Sequence, residues 1–359
     1  MSDKRIENLN VYTEDPLITP VELKRRFALN EKSVQTVMRG QNTIKDILDR
    51  KDPRLFIVVG PCSIHDVEAA RDYASRLKKL ADEVEDTLFL VMRVYFEKPR
   101  TKIGWQGLIN DPGLDNSGKI EEGLKLAREL LLYMADIGLP AAGEALDLVT
   151  PQYVQDLFSW TTIGARTTES QTHRKMASGF STAVGFKNGI DGSLKVAINA
   201  MHVAANPSSF ISVDPEGHVA VVRTTGNKYT HIVLRGSEAG VNYDAVSIAG
   251  CEKKLREAGL TENIMVDCSH DNSHNNHGEQ LGVFEDITRQ ILEGNQSIIS
   301  LMLESNIEWG KQAVPSIRET LKYGVSITDA CIDWRTTESA IKHLREKLKA
   351  RLSIRRQSH

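Results

Sequence analysis

Cys62, His270, Glu304 and Asp329 are residues of this chain whose types could together hold a divalent metal ion. A thiolate, an imidazole and two carboxylates form a mixed S, N, O donor set suited to a borderline ion such as Mn2+, Fe2+, Co2+ or Zn2+. Read singly, these positions stay ambiguous. A Cys in the run GPCS can be a buried apolar residue, and the polar run SHDNSHNNH offers His274 and His277 beside His270.

A second pattern is cationic. Arg93, Arg166, Lys187 and Arg235 each stand at or near the end of a short apolar run. Four unpaired cations gathered in one pocket would repel one another, so their ligand should carry several negative charges. The run FEKPRT adds Lys98, Arg100 and Thr101 around Pro99, which limits loop flexibility and offers a place for a second phosphate. Neither GxGxxG after a strand nor GxxxxGK[ST] occurs, so no nucleotide cofactor of those kinds is expected.

The elements that must position these groups are eight short β-rich runs. They are RLFIVVG (54–60), LFLVMRV (88–94), PAAGEAL (140–146), WTTIGAR (160–166), TAVGFKN (182–188), HIVLRG (231–236), IMVDCS (264–269) and IISLMLE (298–304). Several are almost continuously apolar, as strands covered on both faces should be. Segments with helical period lie between them, such as DVEAARDYASRLKKLADEV and IEEGLKLARELLLYMADIG. Eight strands alternating with helices predict an α/β fold, a (β/α)8 TIM barrel, whose active site lies at the strands' C-terminal ends. At those ends stand Cys62, Arg93, Glu144, Arg166, Lys187, Arg235, His270 and Glu304. One Arg ending a strand is usually a solvated rim residue; eight polar or metal-capable groups in succession argue for a shared site.

Two segments stand outside the repeat. Residues 1 to about 50 form an N-terminal arm containing SVQTVMRGQNTIKDILDR, an amphipathic helix, before a catalytic barrel spanning 51–359. Residues 210–229, FISVDPEGHVAVVRTTGNKY, alternate about a PEG turn and predict an antiparallel hairpin inserted before the sixth barrel strand. Both are candidates for regulation or assembly.

Composition narrows the class. With 359 residues, 45 Lys plus Arg against 48 Asp plus Glu, and a formal net charge of -3, the chain has no basic field for nucleic acid or an acidic membrane. The 4 cysteines form no CxxC pair, and neither a signal peptide nor an apolar stretch of membrane-spanning length occurs. A soluble protein of the reducing cytoplasm is expected.

The motifs GPCSIHD, MRVYFEKPRT, GARTTESQTHR, VGFKNG, VDCSH and SITDAC closely resemble those of the type I 3-deoxy-D-arabino-heptulosonate 7-phosphate (DAHP) synthases, from about residue 15 to about residue 340. The resemblance implies condensation of phosphoenolpyruvate with D-erythrose 4-phosphate and water, the first step of the shikimate route to chorismate and aromatic amino acids. It implies Cys62, His270, Glu304 and Asp329 as metal ligands and Lys98 as the proton donor. Cys62 and His270 would serve the reaction through the metal. Phosphoenolpyruvate would meet Arg93 and Lys187 through its carboxylate and Arg166 and Arg235 through its phosphate, near Glu144. Erythrose 4-phosphate would meet Lys98, Arg100, Thr101 and Asp329. Family members are feedback-regulated homodimers or homotetramers. The matching effector positions here are Leu148, Gln152, Phe180, Ser181, Phe210 and Val222, with tyrosine favoured over phenylalanine as the effector. Ala183, Ile190 and the run RGSEAGVNY depart from the family pattern without touching these groups. The rival readings are a synthase taking arabinose 5-phosphate, a class I aldolase using Lys187 as a Schiff base, and a non-catalytic barrel.

Overall fold

The computed structural model of the chain describes residues 6–100, 103–314 and 320–355. Two helices, α1 (Pro20–Arg26) and α2 (Glu31–Leu48), precede the first strand. The chain then runs β1 (Leu55–Gly60), α3 (Val67–Val84), β2 (Leu88–Arg93), α4 (Ile120–Ile137), β3 (Ala141–Glu144), α5 (Pro151–Val154), β4 (Trp160–Ile163), α6 (Gln171–Ala177) and β5 (Ala183–Lys187). After α7 (Leu194–Ala205) come the paired strands β6 (Ser208–Val213) and β7 (Val219–Thr224), then β8 (Thr230–Leu234), α8 (Ala245–Glu257), β9 (Ile264–Asp267), α9 (Gln280–Leu292), β10 (Ile298–Glu304) and α10 (Trp334–Arg355). Eight parallel strands close in the order β1-β10-β9-β8-β5-β4-β3-β2, which is the predicted (β/α)8 barrel, and β6 and β7 form the predicted separate antiparallel hairpin.

The apolar runs become strands because both faces are covered: every residue of β1, β2, β5, β8 and β10 is buried. Outward side chains pack under the helices, while Phe56, Val58, Phe89, Val91, Trp160, Val233, Met265 and Met302 fill the barrel itself. Trp160 donates its indole N–H to His231 Nε2 at 2.9 Å across this filled interior. Gly185 makes room for it, since a Cβ there would lie 2.4 Å from the Trp160 ring.

The arm's second helix belongs to the same packing. Ile44, Ile47 and Leu48 join the interior cluster. The C-terminal end of α2 and the Arg50 side chain are tied to the N-terminal end of β9 through Asn263 Nδ2 to Leu48 O (3.0 Å) and Arg50 Nη2 to Glu262 O (2.9 Å), and Arg50 Nη1 reaches Gln296 O before β10. The helix therefore floors the barrel at the end opposite the strand ends that carry charge.

Several strands stop short of the expected runs at their C-terminal ends. The fourth strand stops at Ile163 because Thr167 and Thr168 turn their N–H groups back to Gly164 O, so Arg166 rides an exposed turn. The seventh barrel strand, β9, stops at Asp267, and His270 opens a 3-10 turn with φ +59°. The hairpin runs over 208–224, shorter than 210–229 at its far end, because 225–229 lead into β8.

If α2 floors the barrel, Ile44→Ala should destabilise the protein by roughly 2 to 5 kcal/mol, the range for truncating a fully buried aliphatic side chain. An unchanged urea midpoint would show that the helix does not share the barrel's core.

Candidate active site

Parallel register brings the strand ends to one level. Gly60 faces Glu304, Arg93 faces Ala142, and Lys187 faces Val233. The loop after β10 is folded back over this mouth, with Ile332 N donating to Glu304 O (3.1 Å) and Ser63 Oγ meeting Thr328 Oγ1 (2.7 Å). That fold-back sets Asp329 above Cys62, whose Sγ lies 3.3 Å from Asp329 Oδ2.

Cys62, Glu304 and Asp329 each offer a ligand atom, and the three atoms all lie within 4.8 Å of one another. Donors about 2.0 to 2.3 Å from one ion stand at most ~4.6 Å apart, so the set fits a single divalent cation after small adjustment. His270 is outside this tight set; its Nε2 lies 3.8 Å from Glu304 Oε1. Its rivals are placed otherwise: His274 is exposed, and the ring of His277 packs on Trp309 at 4.7 Å between centroids. Burial, and then the Glu304 carboxylate, push the Cys62 thiol up to about 12. A bound cation must therefore displace that proton.

A cleft of about 170 Å³ opens beside the donors, lined by Arg93, Tyr95, Lys98, Arg100, Glu144, Arg166, Lys187, Arg235, His270 and Asp329, among others. The strand-end reading thus gathers its charged residues into one place. A groove of about 330 Å³ at the other end of the barrel is roomier, but among its charged residues Lys78 pairs with Asp82 and Arg39 donates to Gly138 O.

The premise of four unpaired cations is corrected. Arg93 Nη2 donates to Glu304 Oε1 at 2.8 Å, Lys187 Nζ to Asp267 Oδ2 at 2.7 Å, and Arg235 Nη1 pairs with Asp271. Of these four cations, Arg166 alone forms no ion pair with a described residue. Asp267 and Asp271 lie in and just beyond the VDCSH motif, where the sequence draws attention to its histidine instead. Tyr95, also missed, is buried under the guanidinium of Arg93, 3.5 Å from the ring centroid. Lys98 Nζ donates to Cys62 Sγ at 2.9 Å, and Arg100 Nε to Trp105 O at 2.8 Å. Thr101 lies outside the described residues.

The effector candidates fall on two neighbouring regions. Leu148 and Gln152 lie on the β3–α5 loop and α5, while Phe180 and Ser181 follow α6. Phe210 and Val222 are directly opposite in the hairpin, whose base is tied to α6 by Ser178 Oγ to Thr224 Oγ1 (2.6 Å). His173 of α6 reaches Leu146 O at 2.7 Å and joins the two regions.

Comparison with known proteins agrees with this geometry. The DAHP synthetase I family matches residues 26–342. The Tyr-sensitive phospho-2-dehydro-3-deoxyheptonate aldolase of Salmonella typhimurium is 51% identical over 355 residues, covering 99% of each chain. The Phe-sensitive enzyme of Escherichia coli is 50% identical over 345 residues, 96% of this chain and 98% of that one. The solved phospho-2-dehydro-3-deoxyheptonate aldolase of Francisella tularensis superposes with a TM-score of 0.93 at 42% identity, over 95% of this chain and 99% of that one.

One neighbour of the cleft yields a pH test. Glu97, 6% exposed, precedes Lys98 and accepts a hydrogen bond from Thr150 Oγ1 at 2.9 Å. Burial raises its carboxyl to about 7. The folded state then holds a proton that the unfolded state has lost, so this group's contribution to stability is full below about pH 4.3 and falls as pH rises toward 7. Glu97→Gln should gain on the order of 2 kcal/mol relative to wild type between pH 5 and pH 8 in denaturant titrations. Parallel curves for the two proteins would mean that Glu97 is ionised in the fold.

Proposed function

The chain belongs to the DAHP synthetase I family, and on that premise we propose that it joins phosphoenolpyruvate to D-erythrose 4-phosphate with water, releasing DAHP and phosphate. This is the first step of the shikimate pathway to the aromatic amino acids, catalysed by a metal-dependent transferase, 3-deoxy-7-phosphoheptulonate synthase. The observation that carries the reading is the meeting, in one barrel mouth, of a three-donor cation set and a cleft lined by six Arg or Lys side chains from successive strand ends and loops.

In this reading Cys62, His270, Glu304 and Asp329 hold the ion, which is Mn2+, Fe2+, Co2+ or Zn2+. When bound, the ion supplies Lewis-acid stabilisation of negative charge on the aldehyde oxygen. Arg93 and Lys187 receive the phosphoenolpyruvate carboxylate, and Arg166 and Arg235 its phosphate, with Glu144 alongside. Lys98, Arg100, Thr101 and Asp329 receive erythrose 4-phosphate. C3 of phosphoenolpyruvate bonds to the aldehyde carbon, Lys98 delivers the proton to the new hydroxyl, water adds at C2, and phosphate leaves by C–O cleavage. The Lys187–Asp267 pair speaks against the Schiff-base rival, because Lys187 Nζ is engaged by a buried carboxylate at 2.7 Å rather than free to meet a carbonyl.

Feedback inhibition is by an aromatic amino acid bound near Leu148, Gln152, Phe180, Ser181, Phe210 and Val222. Tyrosine is favoured, with phenylalanine as the alternative, because relatives named for each stand at 51% and 50% identity. The hairpin's outer face, with Ile211, Val219 and Val221 exposed at 74%, 80% and 56%, supports assembly as a homodimer or homotetramer. No helix among the described residues is long and apolar enough to cross a membrane, and the small-molecule chemistry fits the cytoplasm.

Phosphate release from phosphoenolpyruvate should occur with erythrose 4-phosphate and not arabinose 5-phosphate, stop on chelation, return with Mn2+, and fall at least about 100-fold in Cys62→Ala. Turnover indifferent to chelator would sink the ligand set. Tyrosine should suppress that rate; suppression by phenylalanine with tyrosine inert would reverse the effector assignment.

A further inference from the structure

Asp267 closes β9 with its side chain fully buried, between a lysine of the cleft and a histidine of the donor set. Its Oδ2 receives Lys187 Nζ at 2.7 Å and faces His270 Nδ1 at 2.9 Å. Its Oδ1 accepts from Ser269 N at 3.0 Å and Ser269 Oγ at 2.6 Å. The one hydroxyl proton of Ser269 is committed to Asp267, so the oxygen of Ser269, 2.8 Å from His270 Nδ1, faces that nitrogen as an acceptor. Both neighbours of Nδ1 are acceptors, which assigns a proton to Nδ1 and turns Nε2 toward Glu304.

We propose that Asp267 is a positioning residue through which the phosphoenolpyruvate site and the metal site strengthen each other. The inference rests on the functional reading above. Lys187 and His270 share one carboxylate oxygen, so each competes for the same negative charge. When Lys187 turns part of its charge toward an anionic substrate, Oδ2 becomes a stronger acceptor for Nδ1–H. The imidazole then donates more electron density from Nε2, and the cation is held more tightly. Linkage requires the reverse by the same factor: a bound cation draws His270 and Oδ2 together and frees Lys187 for the substrate carboxylate.

The test is equilibrium Mn2+ binding to the full-length protein, read from free Mn2+ by electron paramagnetic resonance, with and without saturating phosphoenolpyruvate. Wild type should bind Mn2+ about 5-fold or more tightly with phosphoenolpyruvate present. Asp267→Asn keeps the side chain's shape but cannot accept from Lys187, His270 and Ser269 together. It should weaken Mn2+ binding by about 10 to 100-fold and bring the phosphoenolpyruvate effect close to one. In 15N-His-labelled protein without metal, the His270 resonances should shift from the Nδ1–H tautomer to a mixture, which a merely structural loss would not produce. Ser269→Ala, a milder change, should weaken Mn2+ binding a few-fold, and it decides the matter should Asp267→Asn not fold. Unchanged Mn2+ affinity in the folded variants, or a phosphoenolpyruvate effect that persists in Asp267→Asn, overturns the coupling while the functional reading stands. Wild type that binds neither Mn2+ nor phosphoenolpyruvate overturns both.

Discussion

The ion pair between Arg93 and Glu304, with side chains 1% and 2% exposed, is the contact on which the barrel mouth depends. It reaches from β2 to β10 over the end of β1, where Gly60 permits the approach because a Cβ there would lie 2.6 Å from Arg93 O. Removing either partner would strand a buried charge, at a cost of roughly 3 to 5 kcal/mol. The pair is further satisfied by Pro61 O, which accepts from Arg93 Nε at 3.2 Å, and by the Tyr95 ring beneath the guanidinium. Burial disfavours the Arg93 cation, but Tyr95 and Glu304 outweigh it and hold its pKa above the ordinary value.

The same device recurs around the mouth. Lys187 pairs with Asp267, Arg235 with Asp271, and Lys98 with the Cys62 sulfur. The low-dielectric interior would not tolerate these cations alone, so the fold supplies Arg93, Lys187 and Arg235 with a carboxylate and Lys98 with a sulfur acceptor before any ligand arrives. Ligand binding is then an exchange of partners. On the proposed reading, an incoming carboxylate or phosphate would compete with Glu304, Asp267 or Asp271, and a cation would compete with Arg93 and Lys98 for Glu304 and Cys62. Releasing an internal carboxylate offsets part of what each new contact contributes, so one ligand's arrival alters the terms for the next.

The barrel was legible because its strands are buried on both faces and therefore read as continuous apolar runs, as IISLMLE does in becoming β10 over Ile298–Glu304. Arg93, Lys187 and Glu304 end their strands as expected. Arg166 and His270 do not, because Gly164 starts a turn and because the backbone of His270 takes a positive φ that no strand continues. Asp267 and Asp271 escaped notice for a different reason. A sequence shows which residues are charged but not which opposite charge faces them across a barrel, and the pairing partners are 80 and 36 positions apart. The role of α2 was hidden likewise: its helical period is plain, but that its apolar face fills the barrel floor follows only from closure of the sheet.

In barrels of this class the strands' N-terminal ends usually serve stability and their C-terminal ends function. Here the division is partial, since the catalytic end is held by buried charge pairs. The chain's freedom lies elsewhere, in the hairpin, where no residue of β6 or β7 is fully buried. Its turn is fastened to the arm by Val21 N donating to Pro215 O at 2.8 Å, and the arm to α5 by Tyr153 Oη donating to Ile18 O at 2.6 Å. The hairpin side of this connection is half-exposed, whereas the Tyr153–Ile18 bond is buried. The contacts from α5 through Thr150 to Glu97 then lead to the loop that carries Lys98.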